Sequence, residues 1–248
     1  MHIPSRDELR QTLSPKLIYS PFLRLVVFNF WFRLAFFGFA LLLIFLCLFL
    51  PKIWRVTPLG FLPEIKISGL DMAQAWSLRR SALGSAAAGR YEEAAFAWEA
   101  AVGNNPGNPE LVRGALFNAL RIDRPNPKYL AASLRQSVWL LRLTGTNRTD
   151  VELVAELYDK FQLYDVVVRL LTPIQDRLTD HEEVLFLKAL FHAGQIKQFA
   201  ERWDRLGDRQ AQEPAMQLHH AAHLAGWGPP ERAKVGRDLL ENALDDPA

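Results

Sequence analysis

The hydrophobic and polar positions divide the chain into three stretches. Residues 34–50, LAFFGFALLLIFLCLFL, contain no charged side chain. Residues 54–70 are spaced by proline and glycine without a helical period, which predicts an irregular linker. From residue 71 to the end of the sequence at 248, apolar residues recur at helical spacing between short polar breaks. The pattern therefore predicts an all-α protein with an N-terminal apolar helix, a linker over 54–70 and a helical domain over 71–248.

The apolar run predicts a transmembrane helix over residues 34–53. At 1.5 Å per residue it spans roughly 26 Å, and flanks from Trp31 to Trp54 extend it to about 35 Å, which matches a hydrocarbon core with its interfaces. The two tryptophans lie where aromatic belts occur. A core helix of a small domain would show a polar face, and a cleaved signal peptide would end in small residues, which 48–50 lack. We expect a single-pass, uncleaved anchor in the lipid bilayer.

Residues 1–33 form a basic N-terminal tail that ends in an aromatic segment. Residues 16–33 mix Arg24, Asn29 and Arg33 with aromatics, so they either extend the helix or lie along the headgroups as an amphipathic strip, the interpretation we prefer. The basic residues before the helix are Arg6, Arg10, Lys16, Arg24 and Arg33, against Lys52, Arg55 and Lys66 soon after it. This modest bias, which vanishes within the nearest ~20 residues, favours a cytoplasmic N-terminus. The helical domain is then expected outside the cytoplasm, in the periplasm if the host is bacterial.

The first part of the helical domain carries a repeat signature. Small, aromatic and turn residues occur at fixed spacing at Leu78, Ala82, Ser85, Gly89, Tyr91, Ala94, Trp98, Ala101 and Pro106. Small side chains at Ala82 and Ala94 would let two helices approach closely, and Trp98 would fill the gap to the next pair. This segment resembles a tetratricopeptide (TPR) repeat closely.

Weaker versions of the pattern follow it. Helix pairs are predicted over residues 109–143, 151–182, 183–206 and 214–244, with small or packing residues at Ala131 or Ala132, at Ala155 and Val167, at Ala189 and Phe199, and at Ala222 and Ala233. A single pair cannot bury its own apolar face, so neighbours are required. The resemblance implies a TPR-like α-solenoid of about five helix pairs.

The resemblance also implies a concave face, lined by the first helix of each pair, that binds a protein segment. The partner-binding positions carried over from it are Trp76, Arg79, Leu83, Arg113 and Phe117, with Glu110, Glu152, Glu156, Phe186 and Leu190 as further groove positions. The asparagines of a carboxylate clamp are missing beside Arg79 and Arg113, so both arginines are interpreted first as solvated helix charges.

Composition and residue spacing argue against several classes of function. Lys plus Arg number 29 against 27 Asp plus Glu, a net charge of +2, which gives no reason to expect nucleic acid. The only cysteine, Cys47, lies in the apolar run. His219 and His223 have the spacing of a metal pair, but no third ligand follows at useful spacing, so packed histidines are favoured. We expect no metal, no cofactor, no small-molecule substrate and no enzyme activity.

Two functions remain open for such a chain. The first is a membrane-anchored scaffold or assembly protein that recruits a protein partner to the membrane surface through its solenoid. The second is a structural accessory subunit of an integral membrane complex, held mainly through its transmembrane helix, where Asn29, Arg33 and Gly38 hint at protein contact. An enzyme is a distant third.

Overall fold

The computed structural model describes residues 21, 22, 25, 29–124, 126–206 and 214–245. These residues are mostly helical, with eleven α-helices and almost no strand, so the all-α prediction is confirmed. The helices are α1 (Phe30–Phe49), α2 (Gly69–Ala87), α3 (Tyr91–Asn104), α4 (Pro109–Leu120), α5 (Pro127–Thr144), α6 (Arg148–Lys160), α7 (Tyr164–Leu171), α8 (Asp180–His192), α9 (Ile196–Trp203), α10 (Pro214–Trp227) and α11 (Pro230–Asp245), and a 3-10 helix covers Thr172–Arg177. Most of the predicted basic tail, including Arg6, Arg10, Lys16 and Arg24, lies outside the described residues.

Helix α1 is long and apolar enough to cross a membrane. It has 20 residues, a mean hydropathy of 2.5 and no buried residue. It begins at Phe30 rather than at residue 34, because the Asn29 side chain caps it by accepting from the Trp31 and Phe32 amides at 3.0 and 3.1 Å. It ends at Phe49 rather than at residue 53, since Pro51 cannot continue a helix.

The predicted linker contains a β-hairpin that the sequence does not reveal. Strand β1 (Trp54–Arg55) pairs with β2 (Lys66–Ile67) in antiparallel register, with Trp54 opposite Ile67. Strands of two residues are too short to show an alternating pattern, which explains why they were not predicted. Ser68 then starts α2 with a capping box, in which its hydroxyl accepts from the Asp71 amide.

The hairpin packs on the helical domain. The Phe61 ring meets the Trp139 ring edge-on at 5.3 Å, and the Arg142 guanidinium lies 4.9 Å from the centre of the Phe61 ring. Arg142 also donates a hydrogen bond to the Leu62 carbonyl. Residues 54–70 therefore form an ordered hairpin that packs on α5, and not the irregular linker that was predicted.

The end of α1 is held by the same region. The Trp54 indole donates to the Leu48 carbonyl at 3.2 Å. Gly69, at the start of α2, lies against the Phe49 ring, and a Cβ added to Gly69 would be 3.0 Å from that ring. These two contacts bring the start of α2 next to the end of α1, although residues 50–68 separate the two helices in sequence.

The helices pack in sequence order, each against the next. Helices α4, α6, α8 and α10 also contact one another in turn. In the first pair, Ala82 and Ala94 are fully buried where α2 meets α3. Trp98 is buried, and its ring fills the position that a Cβ on Gly114 of α4 would occupy. The predicted packing of Ala82, Ala94 and Trp98 is thus confirmed.

Fewer of the predicted packing positions are buried towards the C-terminus. Ala132, Ala155, Val167, Ala189 and Phe199 are buried as expected. In the last pair, however, the prediction of Ala222 and Ala233 is wrong: both are only half-buried. Ala221 and Gly236 make the close approach instead, since a Cβ on Gly236 would lie 2.6 Å from the Ala221 carbonyl oxygen.

Candidate functional site

Helices α2 and α4 line a cleft of about 370 Å³ whose floor is the buried Trp98 of α3. Helix α2 supplies Arg79 and Leu83 from successive turns of one face. Helix α4, which starts at Pro109 after an Asn108 cap, supplies residues over its whole length, and Arg121 is its C-cap: Glu110, Arg113, Gly114, Phe117, Asn118 and Arg121. Gly114 is required because any side chain there would displace the Trp98 ring. The cleft is thus a direct product of the packing between the first helix pair and the next helix.

The structure brings four of the five predicted partner-binding residues into this cleft. Arg79, Leu83, Arg113 and Phe117 line it together, although they belong to different predicted pairs. Leu83 and Phe117 are 49% and 54% exposed. Trp76 does not line the cleft; it is exposed and lies 5.8 Å from the Arg80 guanidinium.

Arg113 is an ion-pair residue and not the solvated charge that the sequence suggested. Its Nε donates to Oδ1 of Asp150 at 2.6 Å, its Nη2 donates to Oδ2 at 3.0 Å, and Nη1 binds Glu110. Asp150, in α6, is 1% exposed. Burial acts to raise the pKa of Asp150, but hydrogen bonds from Arg113 and Thr144, together with the Arg113 charge, outweigh it, so that this pKa lies below its usual value. Arg113 therefore joins α4 to α6, and its side chain is only partly exposed to the cleft.

Two other arginines of the cleft are uncompensated. Neither Arg79 nor Arg121 has an acidic partner within 4.0 Å in the part of the chain that the structure describes. Both side chains are exposed, and Arg121 lies 5.8 Å from the centre of the Tyr91 ring. Arg121 was not predicted, although its spacing of four residues from Phe117 places it on the same face of α4.

Asn118 is the second residue that sequence reasoning missed. It is 4% exposed and lines the cleft. Its Nδ2 donates to the Tyr91 carbonyl at 2.8 Å, which fixes the amide, while its Oδ1 has no hydrogen-bond partner among the described residues. A buried carbonyl oxygen of this kind is rare in folded proteins. No sequence signal marks it, because a helix asparagine is more often a surface residue.

The groove positions predicted in the fourth pair are wrong. Phe186 and Leu190 are 2% and 0% exposed and belong to the core. Helix α8 is covered by α6, α7, α9 and α10, and the Arg202 guanidinium lies over the Phe186 ring at 5.0 Å. A concave face that follows every first helix is therefore not formed at α8.

One group of side chains in the described residues has a geometry that could hold a metal ion. Glu152 and Glu156 of α6 and His181 of α8 offer ligand atoms that all lie within 4.8 Å of one another. Glu156 Oε1 and His181 Nε2 are already 2.9 Å apart. The two glutamates were predicted as groove positions, and their spacing of four residues was visible in the sequence, whereas the approach of His181 is a product of helix packing.

The histidines near residue 220 contact different partners. His219 Nε2 lies 3.0 Å from Nε2 of His192, and its Nδ1 lies 2.5 Å from the Ala215 carbonyl oxygen. His220 stacks on Trp203 at 4.2 Å, and His223 stacks on Trp227 at 6.3 Å. Burial lowers the pKa of His192, His220 and His223. The geometry is that of packed aromatic rings, with His219 and His223 on separate contacts.

Comparison of the chain with protein-family models, with curated proteins and with solved structures finds no match. The cleft combines exposed apolar side chains, two uncompensated arginines and a buried acceptor. Such a surface can bind another molecule by shape and charge. The described residues that line it include no serine, cysteine or histidine.

Proposed function

We propose that this chain is a membrane-anchored scaffold of the TPR type, which binds a protein partner through the cleft between α2 and α4. The observation that carries the proposal is the convergence of Arg79, Leu83, Arg113 and Phe117, from two predicted repeats, on one cleft. Leu83 and Phe117 expose large apolar surface beside arginine, a combination that is enriched at protein interfaces.

The TPR assignment is supported by the first helix pair. Its small residues Ala82 and Ala94 are buried at the contact, and Trp98 lies between this pair and the next helix. The pairs that follow keep the order of packing, each helix against the next. Within this proposal the cleft recruits a partner and performs no chemistry.

The membrane part of the proposal places α1 across a bilayer, with the N-terminus in the cytoplasm and the helical domain outside it. Its length and hydropathy support the crossing. Cysteine labelling tests the orientation: in a Cys47→Ser background, Arg135→Cys puts one thiol on an exposed position of α5. An impermeant thiol reagent should label it in intact cells or spheroplasts, and labelling only after lysis would reverse the orientation.

The binding part is tested by affinity capture of the full chain from solubilised membranes. The double variant Arg79→Glu and Phe117→Ala reverses a charge and removes an apolar anchor, so captured partners should be lost. Arg135→Glu, exposed on α5 away from the cleft, is the matched control. Arg113 is left unchanged, because its loss would break the ion pair with buried Asp150. Retention of every partner by the double variant would contradict the proposal.

A second candidate is an accessory subunit of a membrane complex, held through α1. The observation that favours it is the contact between the helical domain and the end of α1, with Phe49 against Gly69 and the Trp54 indole hydrogen-bonded to the Leu48 carbonyl. A domain fixed in this way could cover a partner embedded in the membrane. Replacing residues 30–49 by polyleucine separates the two functions: loss of partners in that variant, with retention in the cleft variant, would favour the accessory subunit.

A further inference from the structure

We infer that Glu152, Glu156 and His181 form a binding site for a divalent zinc-type ion, which joins α6 to α8. Their side-chain ligand atoms all lie within 4.8 Å of one another. The two glutamates project from successive turns of α6, because residues four apart share one side of a helix. His181 lies in the first turn of α8, which packs directly on α6. None of the three lines the α2–α4 cleft, so the site is independent of the proposed function.

The charges along α6 favour a bound cation at this position. Its other acidic residues, Asp150 and Asp159, are each paired with a basic side chain of another helix. In the described part of the chain, no lysine or arginine lies within 4.0 Å of Glu152 or Glu156. Two carboxylates one turn apart on a helix repel each other. A divalent ion between them would remove this repulsion.

The mixture of ligand atoms decides the class of ion. An imidazole nitrogen with carboxylate oxygens is a typical ligand set for zinc, whereas magnesium and calcium prefer oxygen ligands alone. Ligand atoms at roughly 2.0–2.2 Å from a tetrahedral zinc ion are about 3.3–3.6 Å apart. Atoms that lie within 4.8 Å of one another therefore need only small side-chain rotations to reach one ion. Three protein ligands leave a fourth position for water.

The two helices that carry the ligands are already fixed against each other. Arg148 of α6 donates to the buried Glu182 of α8 at 2.7 Å. Lys188 of α8 donates to Asp159 of α6 at 2.8 Å. Ligands on helices held in this way need no movement of the backbone to bind an ion, which favours affinity.

The site is open to an ion from solvent. The side chains of Glu156 and His181 are 34% and 54% exposed. The His181 Nε2 atom lies 2.9 Å from Oε1 of Glu156. Because an ionised carboxylate can only accept, this nitrogen carries the proton of the hydrogen bond. An ion that binds Nε2 displaces that proton, so His181 binds as a neutral imidazole.

Isothermal titration of zinc chloride into the full chain in phosphatidylcholine nanodiscs, purified with a tag that lacks histidine, tests the site. With empty nanodiscs as the blank, the natural chain should bind one zinc ion, and excess magnesium should not displace it. His181→Ala and Glu152→Gln should each weaken zinc binding about tenfold or more. His219→Ala is the matched control: it removes the close pair of ring nitrogens of His192 and His219, and should leave the affinity unchanged.

Two further measurements locate the ion. Zinc should increase amide protection in α6 and α8 of the natural chain but not of His181→Ala, and X-ray absorption at the zinc edge should show one imidazole per ion. Far-UV circular dichroism checks that the variants fold, and Glu152→Gln decides the outcome if His181→Ala does not. The inference is overturned if the natural chain does not bind zinc, if a folded site variant binds it unchanged, or if His219→Ala loses it.

Discussion

The first helices of the domain and its last pair are built from the same kind of sequence but are packed very differently. Around α2–α4, Ala82, Ala94 and Trp98 are all buried, and α3 is covered by helices on both sides. In the last pair, α11 packs mainly on α10, and Gly236 is its only fully buried position in the described residues. Val235 and Leu239 of α11 are 53% and 49% exposed. Small residues bring two helices together, but a core forms only when a third helix covers them.

The largest expected effect on stability comes from replacing one tryptophan in each of the two regions. Trp98→Ala should lower the free energy of unfolding by about 3–5 kcal/mol, because it leaves a cavity between α3 and α4. Trp227→Ala should cost well under about 1 kcal/mol, since Trp227 is 60% exposed. Thermal unfolding followed by far-UV circular dichroism measures both, and similar losses would mean that the last pair is as well packed as the first.

The ion pair between α4 and α6 should have the next largest effect. Arg113→Leu leaves the buried Asp150 carboxylate without its partner and should cost about 2–3 kcal/mol, less than a fully buried pair because Arg113 is partly exposed. Arg79→Leu should change stability by less than about 0.5 kcal/mol. Urea unfolding of both variants checks this; an unaltered midpoint for Arg113→Leu would contradict the ion pair.

Overpacking at the first helix contact should cost somewhat less. Ala94→Leu adds volume where α3 meets α2 and should destabilise the fold by about 1–3 kcal/mol. Glu93→Ala removes only an exposed ion pair with Arg90, worth about 0.3–0.5 kcal/mol. If the two variants shift the unfolding temperature equally, the contact is misplaced.

In the last pair, Gly236→Ala should have a local effect. Its Cβ would meet backbone atoms of Ala221 and Ala225 at 2.6 Å, and backbone cannot move aside cheaply. Because α11 packs mainly on α10, we expect amide protection to fall in α10 and α11 and to persist in α2–α4. Hydrogen exchange read by mass spectrometry distinguishes this from a global loss of about 1–3 kcal/mol.

The smallest expected effect is that of acid pH. It should destabilise the last helix pair before it destabilises α2–α4. His220 and His223 have pKa values lowered by burial, so their neutral forms are favoured in the fold, and their contribution is lost as pH falls below the unfolded value of 6.5. Asp150 has a pKa below the usual 3.8, so its contribution persists until pH falls through that lower value. Amide protection in α10 should therefore decline as pH falls below 6.5, while α4 and α6 are still unchanged. His220→Gln with His223→Gln should abolish the early decline.

The positions that could be predicted share a property: their role depends on neighbours close in sequence. Ala82, Ala94 and Trp98 lie in one helix pair, where the spacing alone decides which faces meet. Phe186 and Leu190 were mispredicted as groove residues because their burial depends on α6, α9 and α10, whose positions relative to α8 no local pattern encodes. The same holds for Arg113, whose partner Asp150 is distant in sequence.

The sequence by itself determined the helical class and the apolar helix, since periodicity and turn residues act within one or two helices. The resemblance to a TPR repeat added half of the residues that line the cleft. Only the tertiary structure decided that the linker is a docked hairpin and that Arg113 is bound to Asp150. It also decided that, among the described residues, Arg79 and Arg121 have no acidic neighbour and Asn118 has a buried acceptor without a partner. Hydrogen bonds and ion pairs between helices form at distances of a few ångströms. They depend on how far each helix is rotated and shifted against the next, and that is set by packing of the whole domain.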